Sequence, residues 1–150
     1  MPAFQPEDPA FEARVIDSFH QQKLMGTIGA ALTRVAPGEV EIELPFRDDL
    51  TQQHGYIHAG VVTAIADSAC GYAALSLLPA GAEVLTVEYK VNLLAPAAGT
   101  RLVARGRVIR RGQTISVCAS DVTAAGDGAD IHVATMLATI IQSGKRGRTK

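Results

Sequence analysis

The sequence predicts an α+β domain in which a six-stranded antiparallel sheet wraps around one long buried helix. Three observations predict it. The stretch 52–78 runs from a His- and Gly-rich start into small and apolar residues broken by a single carboxylate, Asp67. That run is too long for a strand, contains no proline, and places apolar residues on every side of a helix. Two strand-like runs precede it and four long ones follow, with Pro or Gly between them. A helix that is apolar all round needs cover, and a sheet curled about it supplies that cover.

Taken in order, residues 1–8 are punctuated by proline and expected to be loose, as are 144–150, where KRGRTK reads as a solvated basic tail. From Pro9, the residues Phe11, Val15, Ile16, Phe19 and Leu24 recur at helical spacing, with Glu12 in the first turn. This predicts an amphipathic helix over 9–24 laid on the edge or mouth of the sheet, with His20 at its surface. Residues 27–46 then read as a hairpin about Pro37-Gly38. In its second strand Val40, Ile42, Leu44 and Phe46 alternate with Glu39, Glu41 and Glu43, giving one dry and one wet face. Residues 47–50 are a polar connection. The central helix starts at about Ala59, and residues 60–78 would form a rod of about 28 Å that Pro79-Ala80-Gly81 ends. Strands over 83–94, 100–111, 113–124 and 131–142 follow, with turns at Pro96 and Gly99, at Gly112 and at 126–128. Arg101, Arg105 and Arg107 share a strand face that points to solvent. His132 reads as structural. No internal repeat or second domain is visible, so a single domain is expected over 1–150.

Asp67 is the anomaly in this plan. An ionised carboxylate in apolar surroundings is costly unless it is paired, hydrogen-bonded or protonated. Ala64, Ala66 and Ala69 leave room beside it for substrate or water. The alternative is a structural acid satisfied by Ser68, Thr63 or a backbone amide. Ahead of it, Gly55 and Gly60 bracket His54, Tyr56, Ile57, His58 and Ala59 where the chain turns into the helix. First-turn N–H groups have no intrahelical partner and carry the positive end of the helix dipole. They can hold an anion or stabilise charge developing on a carbonyl oxygen. An electrophilic helix start with a carboxylate two turns further on suits attack on an acyl carbonyl.

Composition narrows the classes. The chain has 150 residues, 47% of them hydrophobic, enough for one domain with a real core. Fourteen basic and fifteen acidic side chains give a formal net charge of −1, which points to neither nucleic acid nor a disordered acidic tail. Asp67 in the middle of the one long apolar run argues against a membrane span. Cys70 and Cys118, the only cysteines, cannot make a metal cluster and read as buried free thiols rather than a disulfide. The start of the chain lacks the pattern of a secretory signal, so the cytoplasm is the expected compartment.

His58-Ala59-Gly60 followed by Asp67 resembles the His-Gly-Gly…Asp pattern of the hotdog-fold acyl-CoA thioesterases, in particular the PaaI-type branch of the 4-hydroxybenzoyl-CoA thioesterase superfamily. The resemblance runs over roughly 26–142 and implies the hotdog fold. It implies that Asp67 is the catalytic acid, acting as general base or nucleophile, and that the Ala59 N–H polarises the thioester carbonyl. Gln52 falls where many members have an asparagine that positions water or carbonyl, and Gln53 or His54 is an alternative for that role. Thr86 falls where some members have a serine near the attacking water. Alanine for glycine, glutamine for asparagine and threonine for serine are the departures from the pattern.

The resemblance also implies hydrolysis of an acyl-CoA to free acid and CoA, with CoA as part of the substrate and no resident cofactor or metal. His54, His58 and Gly60 would shape the substrate site, His58 in a structural role. Arg110, Arg111 and Gly112, at a predicted hairpin tip, could meet the nucleotide phosphates, against an ordinary charged turn as the alternative. Val61, Val62, Ile65 and Tyr72 are candidates for the acyl pocket. In the resembled family one subunit gives the helix start and the other the acid, so a homodimer, or a dimer of dimers, is expected. A non-catalytic acyl-CoA or small-ligand binding module is the second reading. A hydratase, which would need an acid–histidine pair placed otherwise than His58 and Asp67, ranks last.

Overall fold

Alternating apolar residues build one side of a six-stranded antiparallel sheet, and the computed structural model describes residues 3–144 of the chain. The strands are β1 (Ala31–Ala36), β2 (Glu39–Pro45), β3 (Glu83–Leu93), β4 (Arg101–Arg111), β5 (Ile115–Ala125) and β6 (Ile131–Ser143), in the order β1-β2-β4-β5-β6-β3. The hairpin about Pro37-Gly38 pairs Val40 with Val35 and Leu32 with Ile42. Val40, Ile42 and Leu44 are fully buried, while Glu41 and Glu43 reach Arg105 and Arg101 across the wet face. Arg107 on the same strand meets Asp121, which also meets His132. The three arginines thus lie on the outer face, each with an acidic partner.

The central helix, α3 (Ala59–Leu75), packs on the inner face of the sheet and ends three residues earlier than its apolar run. It comes very close to the sheet at Gly106 of β4. A Cβ there would lie 2.3 Å from the Ala69 carbonyl, so only glycine lets the two backbones meet. Ile65, Ala66, Ala69, Cys70 and Ala73 fill this seam and are fully buried. Cys118 of β5 is buried too, and both thiols are free.

One expectation about α3 is corrected. The helix is not covered on every side: Gly60, Thr63, Ala64, Asp67, Ser68 and Gly71 form a stripe that is only half-buried or exposed. The sheet curls over one side of the helix and stops at its edge strand β3, and the small side chains of the stripe leave grooves there. Room beside Asp67 therefore comes from Ala64, whereas Ala66 and Ala69 face the sheet.

The first helix is also corrected. It breaks at Gln22 into α1 (Phe11–Gln21) and α2 (Lys23–Ile28), so Thr27 and Ile28 are helical rather than strand. Gln22 takes φ −77° and ψ 100°, an extended conformation, and its side chain turns inward to Ser68 and Tyr72. Gly29, at φ 79°, ends α2 in the left-handed region that glycine tolerates.

Residues 3–8, expected to be loose, make specific contacts. Phe4 packs against Gly38, the Glu7 N–H donates to the Leu77 carbonyl at 3.3 Å, and Glu7 pairs with Arg111. Arg14 of α1 donates to the carbonyls of Leu75 (2.9 Å), Leu78 (2.7 Å) and Pro79, satisfying the end of α3 with a cation where the helix dipole is negative. The basic run 145–150 lies outside the described residues. Among the described residues no helix is long and apolar enough to cross a membrane.

Candidate active site

The site begins in the loop that feeds α3. Thr51 bridges to Ile57, the Gln52 N–H donates to the Tyr56 carbonyl (2.8 Å) and the His58 N–H to the Leu50 carbonyl (2.9 Å), closing a tight loop with Gly55 at φ 83°. The Gln52 side-chain oxygen accepts from the His54 N–H at 2.6 Å and the Tyr56 N–H at 3.4 Å. Gln52 therefore holds its own loop with its oxygen and retains its amide donor.

His58 is the N-cap of α3. Its Nδ1 accepts from the Gly60 N–H at 2.8 Å, which requires that nitrogen to be unprotonated. The His58 carbonyl accepts from Val61 and Val62. The first turn is thus consumed, except for one amide. The Ala59 N–H has no acceptor among the described residues. Ala59 and Gln52 line a cavity of about 490 Å³ with Tyr56, Val62 and the 93–97 turn.

Asp67 follows Ala59 by eight residues, a rise of about 12 Å. Thr86 of β3 donates to Asp67 Oδ1 at 2.7 Å. The other candidates for satisfying Asp67 are engaged elsewhere: Ser68 with Gln22, Thr63 with the Ala59 carbonyl. Asp67 is half-buried between two cavities. One, of about 320 Å³, runs toward Gln22 and Tyr72; the other, of about 400 Å³, is lined by Leu24, Gly60, Thr63, Ala64, Tyr89 and Val91.

The structure therefore gathers the predicted residues into two groups. Gln52, His54, His58, Ala59 and Gly60 stand at the helix start, and Asp67 and Thr86 stand together further on. Within one chain about 12 Å of helix separates the free amide from the acid. A single carbonyl carbon cannot meet both. Beside the acid runs β3, an edge strand whose Leu85, Val87 and Tyr89 are 63%, 57% and 45% exposed.

Arg110, Arg111 and Gly112 stand apart from both groups, at the far tip of the β4–β5 hairpin. Arg111 is held by Glu7, and Gly112 closes the turn by donating to the Ile115 carbonyl at 2.8 Å. Of the acyl-pocket candidates, Tyr72 and Val62 line cavities, whereas Ile65 is core. Sequence reasoning missed Ser18 and Gln22, which bond the Tyr72 hydroxyl, the pairing of Ser68 with Gln22, and Tyr89 beside Asp67. Burial pushes the Tyr72 phenol up, against the hydrogen bonds from Ser18 and Gln22 that lower it. No group of three or more His, Cys, Asp or Glu among the described residues could hold a metal ion.

Residues 54–130 match the sequence pattern of the thioesterase superfamily. A Silicibacter pomeroyi thioesterase family protein superposes with a TM-score of 0.88 at 45% identity, covering 90% of this chain and 99% of that one. A Halobacterium salinarum protein with a provisional esterase name is 30% identical over 87% of each chain. Human acyl-coenzyme A thioesterase 13 is 26% identical over 68% of this chain and 71% of its own. The PaaI protein of the E. coli phenylacetic acid degradation operon, at 15% identity and a TM-score of 0.80, shares the fold over 92% of this chain and 96% of its own.

Proposed function

The chain belongs to the thioesterase superfamily, and from that premise we propose that it hydrolyses an acyl-CoA to the free acid and CoA at a site shared by two copies of the chain. The observation that carries the proposal is the division of labour along α3. One unpartnered amide, that of Ala59, and one half-buried carboxylate, Asp67, lie too far apart in one protomer to act on the same carbonyl. A second copy docked through the apolar edge strand β3 would bring its helix start to this protomer's acid.

In that arrangement Asp67 takes a proton from a water held beside Thr86, and the oxygen of that water attacks the thioester carbon. The Ala59 N–H of the other copy donates to the oxyanion, and Gln52 offers its amide from the same side. Collapse of the tetrahedral species breaks the C–S bond, and the proton on Asp67 goes to the departing thiolate. Direct attack by Asp67 would instead form an acyl–aspartyl anhydride. A single turnover in heavy-oxygen water separates the two routes, because only anhydride hydrolysis can leave label in the Asp67 carboxyl.

Arg110 and Arg111 are the proposed phosphate contacts, Arg111 exchanging Glu7 for phosphate. The buried free thiols fit a reducing compartment such as the cytoplasm. The test is thiol release from a panel of aryl and alkyl CoA esters by the native protein and by Asp67→Asn. Loss of about 10²–10⁴ in turnover with an unchanged fold is expected. Undiminished release rejects the role of Asp67, and binding without turnover by the native protein favours a non-catalytic acyl-CoA module. Mass measured in solution distinguishes a dimer from a dimer of dimers.

A further inference from the structure

The outer face of the sheet divides into two halves of different chemistry. Toward β2 it is a set of ion pairs, Arg101 with Glu43, Arg105 with Glu41 and Arg107 with Asp121. Toward β3 the register builds an apolar band instead. Residues directly opposite in antiparallel strands share a face. Ile141 stands between Ile115 and Leu85 on that face, and Leu137 stands between Ala119 and Lys90. Val117, opposite Thr139, fills the row between them, and Ile109 joins from the bulge in β4. Ile109, Ile115 and Leu137 are 50%, 44% and 52% exposed, with Leu85 beside them more so. Large apolar side chains gathered on one exposed face mark a docking surface, where scattered ones would not.

Charge narrows the occupant. Lys90 and Arg110 flank the band, and neither is in an ion pair among the described residues. The acids of β3 on these rows are Glu83, opposite Ser143, and Glu88, opposite Thr139. β6 ends at Ser143, two residues beyond Ile141, and the sequence continues into KRGRTK over 145–150, four cations and no acid. With Lys90 and Arg110 that makes six cations against two acids at one border of a chain whose formal net charge is −1. A second copy laid on this face about a two-fold axis would set the patch against itself and bring like charges together. An anionic surface meets the cations and the apolar band at once. Apolar contact and basic charge acting jointly hold a protein at a lipid surface without a membrane span.

We propose that this half of the outer face docks the protein peripherally on an anionic lipid bilayer. Leu85, Ile109, Ile115 and Leu137 enter the headgroup boundary while Lys90, Arg110 and the 145–150 run meet lipid phosphates. Asp67 and Thr86 lie on the other side of the sheet, so the dock goes beyond the hydrolase reading and stands or falls apart from it.

The experiment sediments the protein with vesicles of phosphatidylcholine alone and of an equal mixture with phosphatidylglycerol. It compares the native chain, a serine pair (Ile115→Ser with Leu137→Ser) and a tail variant with Lys145, Arg146, Arg148 and Lys150 replaced by glutamine. The native protein should favour the mixed vesicles by about tenfold or more, and less at high salt. Each variant should lose about tenfold in that partition, the serine pair with no change of charge, and both should keep the native unfolding midpoint and solution mass. The chain has no tryptophan, so Leu137→Trp puts a single emitter in the band. Its emission should shift blue on the mixed vesicles and be quenched by brominated lipid, whereas that of Thr123→Trp, on the ion-paired half, should not. Equal partition into both vesicle types, native partition by the serine pair, or an unquenched Leu137→Trp overturns the inference. A smaller solution mass for the serine pair also overturns it, by making the face a contact between copies.

Discussion

Ala59 occupies the first helical position of α3, where proline fits the backbone and only the N–H is lost. The residue before it, His58, already has φ −57° and ψ 137°, the extended region that a following proline requires. Ala59→Pro therefore removes that N–H and puts the ring Cδ in its place while keeping the helix start. If that amide receives the oxyanion, turnover should fall about 10²–10³-fold while the unfolding midpoint stays near the native value. Steady-state kinetics and a urea titration on the same preparation check both halves. His58 has a different lesson. Its ring works as the cap through Nδ1, so His58→Ala should cost about 1 kcal/mol of stability by loss of the cap.

Among the elements, α3 and β4 depend on a single missing methyl. Gly106→Ala would drive a Cβ into the Ala69 carbonyl, and neither backbone can move without displacing the helix or the strand. A loss of about 3 kcal/mol is expected, at the upper end for overpacking, and chemical denaturation measures it. On the outer face, Asp121 of β5 is partly desolvated, which raises its pKa. The hydrogen bonds from Thr135 and Arg107, with the charges of Arg107 and His132, outweigh that and hold it below the ordinary 3.8. A depressed carboxyl stabilises the fold above its unfolded value and loses that contribution as pH falls through the folded one. The stability gap between the native protein and Asp121→Asn should hold at neutral pH and close in the acid range below the ordinary value. Unfolding midpoints across that range test it.

The same scale shows what was legible in the sequence. The alternation of Val40, Ile42 and Leu44 with glutamates, and the Pro and Gly turns, locate the strands because solvent and core act on alternate residues. The start of α3 at Ala59 follows for similar local reasons, whereas its end at Leu75 falls three residues short of the run that Pro79 closes. The break at Gln22 was not legible. Nothing in 9–24 disfavours helix there; the cause is a pair of hydrogen bonds to residues some fifty positions away. The open stripe of α3 was hidden for a related reason, since which side of an apolar helix lacks cover depends on where the sheet ends. The pairing of Thr86 with Asp67 likewise joins elements that periodicity treats separately.

For the whole molecule, the proposed sharing of one site between two copies has a consequence that no single-chain defect can imitate. Ala59→Pro and Asp67→Asn proteins, each inactive, should regain activity when unfolded together and refolded as a mixture. Random pairing gives about a quarter of native activity, because each mixed dimer holds one site with both groups intact. No recovery would mean that amide and acid act within one protomer or not on one carbonyl. Replacing Leu85 and Val87 on the exposed edge of β3 with lysine should yield monomers and abolish turnover together, as sedimentation and thiol release would record.

Cys70 and Cys118 sit on opposite sides of the seam between α3 and the sheet, with no exposed surface. Burial raises both thiols, Cys118 to about 12, so at neutral pH neither is a ready nucleophile while the seam is shut. The two sulfurs are consequently a native timer. Any alkylating reagent can reach them only through departure of the helix from its cradle, and the pace of their modification counts how often the folded chain comes apart at its centre.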